Sequence, residues 1–193
     1  MSFKYKNLSK SALCMIVPML VACGGKTRDN SELDSAVAAL DSIQVAQNVY
    51  ADVENVLMMD WFAADKVDSH ENDILKQYQM TKASQMADSV HELNKKSREL
   101  QRRIDSLKNE KNAVMTPMTS SDSVVADYSR AIATKNAYMD AWEIVVRDYE
   151  ETDEKTDYNS HVLSRYQLAK MFELSDSIGR YRSMARRINE KIK

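Results

Sequence analysis

Three histidines, His70, His91 and His161, are the side chains of this 193-residue chain best suited to acid–base or metal chemistry. His70-Glu71 lacks the second histidine, one turn on, that a zinc-protease helix uses. His70 and His161 both fall near turns expected at one end of the molecule. A weak shared metal site is conceivable there, and two solvated histidines are the plainer reading. No glycine-rich loop able to cradle a phosphate is present, and no Ser/His/Asp order stands out. Carboxylates are plentiful, but no Glu-x-x-His pairs mark a di-iron bundle. The chain therefore names no catalytic residue, no metal ligand and no cofactor, and a non-enzymatic protein is expected.

The elements that would position such groups are read from the residues that break them. From Lys26 to Lys193 there is one glycine, Gly179, and one proline, Pro117. Sheets and their turns need more of both, so the fold class is all-α. Met86, Val90, Leu93, Ser97, Leu100, Ile104, Leu107, Lys111 and Val114 follow one another in steps of four and three, seven of the nine apolar, the mark of a coiled-coil seam. Similar stripes run through Ala36, Leu40, Ile43, Tyr50, Leu57 and Trp61, and through Val125, Tyr128, Ile132, Met139, Trp142, Val146 and Tyr149. A fourth runs through Met171, Leu174, Ile178, Tyr181, Ala185, Ile188 and Ile192. These predict four helices at about 31–68, 70–114, 122–150 and 158–193, packed as an antiparallel up-down-up-down four-helix bundle. Asp68 and Glu71 form a capping-box pattern ahead of the second helix. The unequal lengths leave the first hairpin free to protrude beyond the second.

Trp61 and Trp142 are expected in one core layer with Met58, Tyr78, Met139 and Tyr166. Six Asp-Ser-aliphatic tripeptides, beginning at Asp34, Asp41, Asp88, Asp105, Asp122 and Asp176, follow one another at irregular intervals. They read as helix edges and not as a repeat of fixed period.

The first 25 residues differ from the rest. Lys4, Lys6 and Lys10 precede an uncharged stretch from Ser11 to Ala22, too short for a spanning helix. It ends in Leu20-Val21-Ala22-Cys23-Gly24, which resembles the lipobox of bacterial lipoproteins. That resemblance implies a signal peptide over 1–22, lipid attachment at Cys23, a tether over 23–30 and one domain over 31–193. The Ala-Cys-Gly-Gly leader end and the Asp-Ser tripeptides are similar to Bacteroidota lipoproteins. Gly24 in place of Asp favours the outer membrane, and Lys26-Thr27-Arg28 in place of an acidic run favours its periplasmic face.

Cleavage before Cys23 leaves 24 basic and 29 acidic residues, a net charge of −5. The basic run from Lys95 to Lys111 carries no interleaved aromatics, so nucleic acid is not an expected partner. Helix 2 and helix 4 end in cations and helices 1 and 3 in acids, which puts a basic end beside the membrane and an acidic end away from it. The leading reading is a lipid-anchored envelope protein that binds another protein or a second copy of itself. The alternative is a lipoprotein holding a small apolar or haem-like molecule among its Met and aromatic side chains. Labelling with a fatty-acid analogue should mark the wild-type chain, and Cys23→Ala should abolish the label. Label retained in that variant would refute the lipobox assignment.

Overall fold

The computed structural model describes residues 31–65, 69–111 and 120–192. The leader, Cys23 and the tether lie outside them. Four helices are present: α1 (Ser31–Ala64), α2 (His70–Lys111), α3 (Ser120–Asp153) and α4 (Tyr158–Ile192).

Local chemistry explains where they begin and end. Glu32 and Asp34 place negative charge in the first turn of α1, where the helix dipole favours it. The cap of α2 is Ser69, whose Oγ accepts the Asn72 N–H at 3.2 Å. Asp68, the cap expected from the sequence, lies outside the described residues. Asp157 caps α4 twice over, accepting the Ser160 N–H at 2.9 Å and the Ser160 hydroxyl at 2.8 Å. Helix α3 runs three residues past its expected end. Thr152 is buried there and donates its hydroxyl to the Asp148 carbonyl at 2.7 Å, which keeps the last turn wound. With that extension α1 and α3 have equal lengths of 34 residues. The expected mismatch between the hairpins shrinks to the 42 residues of α2 against the 35 of α4.

Cross-helix contacts fix the directions. The Asp65–Lys76 and Glu32–Arg103 ion pairs make α1 and α2 antiparallel along their length. The Gln167–Thr152 bond and the stacked Tyr138–Tyr181 rings do the same for α3 and α4. Asp41 with Arg130 aligns α1 parallel to α3, and Tyr78 with Tyr166 aligns α2 parallel to α4. The all-α, up-down-up-down bundle is thus observed. Its backbones are unevenly spaced, however: among the described residues no Cα of α1 comes within 8 Å of α4, nor any of α2 within 8 Å of α3.

The main core comprises Val53, Leu57, Ala83, Met86, Ala141, Val145 and Leu174. A second cluster of Ala46, Val49, Leu93 and Ala137 continues it. A third, made of Leu33, Ala36, Ile104 and Leu107, belongs to α1 and α2 alone. The seam expected along α2 is the observed one. The stripe expected along α3 is not: its core face is Ala131, Ala137, Ala141 and Val145, while Val125 and Met139 are exposed and Trp142, Val146 and Tyr149 only half-buried. Where α3 meets α1 it uses small side chains, so its large apolar residues stand on the outer edge.

The two tryptophans do not share a core layer. Trp61 packs edge-to-face on Phe62, and Trp142 packs against the main core, about two turns lower in the α1/α3 register set by Asp41 and Arg130. Ala141 is completely buried among the larger side chains of the main core. Ala141→Leu should therefore overpack the core and cost about 1–3 kcal/mol in urea denaturation, whereas Ser175→Leu on the exposed side of α4 should cost much less.

Candidate functional site

Four residue types meet where the two hairpins face each other, in two sets. Asp60 of α1 accepts the Tyr166 hydroxyl at 2.7 Å and the Lys170 ammonium at 2.7 Å, both from α4. Asp148 of α3 accepts the Tyr78 hydroxyl at 2.8 Å and the Lys82 ammonium at 2.6 Å, both from α2. Each lysine also lies over its neighbouring tyrosine ring, 5.6 Å from Tyr78 and 5.5 Å from Tyr166. The two tyrosines meet edge to face with centroids 5.9 Å apart. These long side chains span the two gaps that the backbones leave open.

The two sets are one set used twice. Asp60 and Asp148, Tyr78 and Tyr166, Gln79 and Gln167, and Lys82 and Lys170 are each separated by 88 residues. Sliding the chain over itself by 88 aligns α1 with α3 and α2 with α4, and 17 of the 75 pairs from residue 31 to residue 105 are identical. The two hairpins thus form a sequence repeat offset by 88 residues. Equivalent helices run parallel and the contacts are reciprocal, so the hairpins exchange by a local two-fold axis along the bundle. This corrects the reading of the Asp-Ser tripeptides. Those at Asp34 and Asp122, and those at Asp88 and Asp176, are equivalent positions of the repeat. Listing all six in order hides that spacing; comparing the chain with itself reveals it.

The core follows the same symmetry. Val53 pairs with Ala141, Leu57 with Val145, Ala83 with Met171 and Met86 with Leu174 in one cluster. A second polar belt lies two turns lower. Tyr50 is pushed up to about 12 by burial and by the Asp140 charge, and Tyr138 is raised by burial and by the Asp52 charge. Tyr50 and Tyr138, and Asp52 and Asp140, again differ by 88.

Burial, then the Asp148 charge and hydrogen bond, holds the Tyr78 phenol far above its ordinary range. Burial and the hydrogen bond to Asp60 do the same for Tyr166. Both phenols therefore stay protonated at neutral pH and donate. Gln167 and Gln79 oppose these shifts from beside the hydroxyls of Tyr78 and Tyr166. Both glutamines are buried, and each Oε1 accepts no hydrogen bond within the protein. Such an atom costs about 1–3 kcal/mol. The assembly matches donors to acceptors across two hairpins and holds them in one relative position.

A cavity of about 130 Å³ sits on the local axis, lined by the equivalent pairs Val56 and Ile144, Leu57 and Val145, Lys82 and Lys170, and Met86 and Leu174. Neither tryptophan lines it. Pockets for drug-sized ligands are about 300–1,000 Å³, so a haem-like guest does not fit this space. His70 and His161 both lie at the turn end of the bundle, as expected. His70 stacks on Tyr158 at 6.3 Å, and His161 lines a shallow surface depression with Tyr158 and Asp157. Among the described residues no three His, Cys, Asp or Glu side chains are grouped to hold a metal ion. His91 is exposed on α2.

Burial, then repulsion by Glu143, pushes the Asp140 carboxyl up to about 6 from an ordinary 3.8. The folded state then holds this proton more tightly than the unfolded chain does. Its contribution to stability is complete below pH 3.8 and is lost as pH rises through about 6. Asp140→Asn should therefore stabilise the fold at pH 7.5 by about 1 kcal/mol, a figure reduced because the side chain is only half-buried. Urea denaturation should show no gain at pH 3.5.

No family model, curated protein or solved structure matches the chain, and its two halves match each other.

Proposed function

We propose that this chain is a non-enzymatic, lipid-anchored protein of the cell envelope whose helical bundle serves as a docking body for other proteins. The observation that carries this reading is a group of large apolar side chains left exposed in the half of the bundle where the hairpins turn: Met59, Phe62 and Phe172 are 70%, 54% and 66% exposed. Side chains of that size exposed on solvated helices are apolar area left outside the core, and exposed apolar patches mark interaction sites.

The anchor completes the picture. No helix among the described residues is long and apolar enough to cross a membrane. In this proposal attachment rests on acylation of Cys23, as the resemblance of residues 20–24 to a lipobox implies, with the bundle held at the periplasmic face of the outer membrane. The start of α1 then lies nearest the lipid, together with the C-terminal halves of α2 and α4. Those carry Arg102, Arg103, Lys108, Arg180, Arg182, Arg186 and Arg187. Cations close to anionic lipid contribute about 1 kcal/mol each, enough to orient a body already tethered. The apolar surface then points away from the membrane. The alternative reading, a ligand held in the bundle core, has only the 130 Å³ cavity in its favour.

A photo-crosslinking residue at Phe172 or Phe62 in living cells should trap one defined protein species, either a partner or a second copy. The same probe at Arg187, near the membrane, should not. Absence of any protein adduct from both outer positions would overturn the docking role.

A further inference from the structure

The exposed residues Met59, Phe62 and Phe172 have Arg147, Glu150 and Ser84 as their equivalents, but a neighbouring apolar edge is duplicated. The Asp65–Lys76 pair fixes one edge of the first hairpin. One turn below it on the same edge stand Trp61 of α1 and Met80 of α2, with Met58 one turn further. Shifting by 88 gives Tyr149, Leu168 and Val146 on the corresponding edge of the second hairpin. Most aligned pairs of the two halves differ in residue, yet these three pairs remain large and apolar: Met58, Trp61, Val146 and Tyr149 are half-buried, with Met58 against the main core, and form the base of each edge. Met80 and Leu168 are 43% and 39% exposed. The local two-fold axis runs through the core, so the two edges face opposite directions.

Charge decides what fits. Glu54, Asp65 and Asp73 flank the first edge, and its cation Lys76 is already bound to Asp65 at 3.4 Å and Asp73 at 3.2 Å. Glu143, Glu150, Glu151 and Asp153 flank the second edge and outnumber Arg147 and Arg165. Two such edges repel each other, which disfavours edge-to-edge pairing of two copies. An amphipathic helix with an apolar stripe and a basic polar face complements both.

Building on the docking role above, we propose that the bundle has two equivalent docking ridges, Met58/Trp61/Met80 and Val146/Tyr149/Leu168, each taking one basic amphipathic helix. One chain then holds two copies of the same kind of segment, on opposite sides.

The test uses the full chain carrying Cys23→Ala and a labelled 18-residue peptide of leucine and lysine with one apolar face. Titration should saturate at two peptides per chain. Met80→Glu and Leu168→Glu should each leave one site, and the double variant none. The neutral pair Met80→Gln and Leu168→Gln should weaken the respective sites, with helicity by circular dichroism unchanged in all variants. A scrambled peptide of the same composition should bind at least tenfold more weakly. Saturation at one peptide, single variants that lose both sites or neither, or equal binding of the scrambled peptide would overturn the proposal. If the peptide result is negative while Phe172 still traps a partner in cells, the two-ridge proposal falls and the docking role stands. If both fail, both fall.

Discussion

The whole arrangement depends on a reciprocal bridge: an aspartate on the first helix of each hairpin, reached by a tyrosine and a lysine on the second helix of the other. Coiled-coil seams alone explain why α1 pairs with α2 and α3 with α4. They do not explain why the two hairpins face each other in one register. The α1/α4 and α2/α3 backbones stay apart, so the hairpins meet through α1 against α3 and α2 against α4, where small and apolar side chains interlock. The polar side chains that cross the two wider gaps add directional contacts that only one register satisfies. Lys82 and Asp148, at 12% and 19% exposure, are sheltered enough that losing either partner would leave a charge poorly solvated. A misaligned pair of hairpins would break both bridges at once, which makes the bridges a device for specificity more than for gross stability.

That account fits the chemistry of the buried amides. Gln79 and Gln167 sit in the bundle interior with one oxygen each unbonded, a cost that an apolar residue of similar size would avoid. Both copies of the repeat nevertheless keep glutamine. Its Nε2 can reach a hydroxyl, as Gln167 does with Thr152 at 3.3 Å, and its side chain lies beside the tyrosine on which the other hairpin's aspartate depends. Polar residues at such positions restrict which partners and which offsets are tolerated.

How much of this was legible follows from residue size. The seams of α2 and α4 are written in Leu, Ile and Met, so periodicity located them. The core face of α3 is mostly alanine, and a reading weighted toward large apolar residues settled on the opposite edge, where Trp142 and Tyr149 stand. The cap of α2 is Ser69, one residue from its expected place, because Asx and Ser caps look alike when adjacent. The polar bridge escaped notice for a different reason. Aspartate, tyrosine, glutamine and lysine on a helix ordinarily read as solvated face, and only the second copy, 88 residues on, marks these particular ones as kept. The leader's resemblance to a lipobox rests on residues 20–24, outside the described structure, and is a matter of sequence alone.

A bundle of this kind could also be made from two identical hairpins, and the fused chain differs from such a dimer in one respect. In a dimer every substitution appears twice, so neither side can specialise. Here Gly179 stands where the first half has His91, and Phe172 where it has Ser84. Asp140 holds its proton up to about pH 6, while its counterpart Asp52 has Tyr138 and no equivalent of Glu143 beside it, position 55 being Asn55. Fusion therefore lets one half gain a side chain, as Phe172 on α4 or Glu143 beside Asp140, without forcing the same change on the other half, a divergence that an exactly symmetric pair could not express.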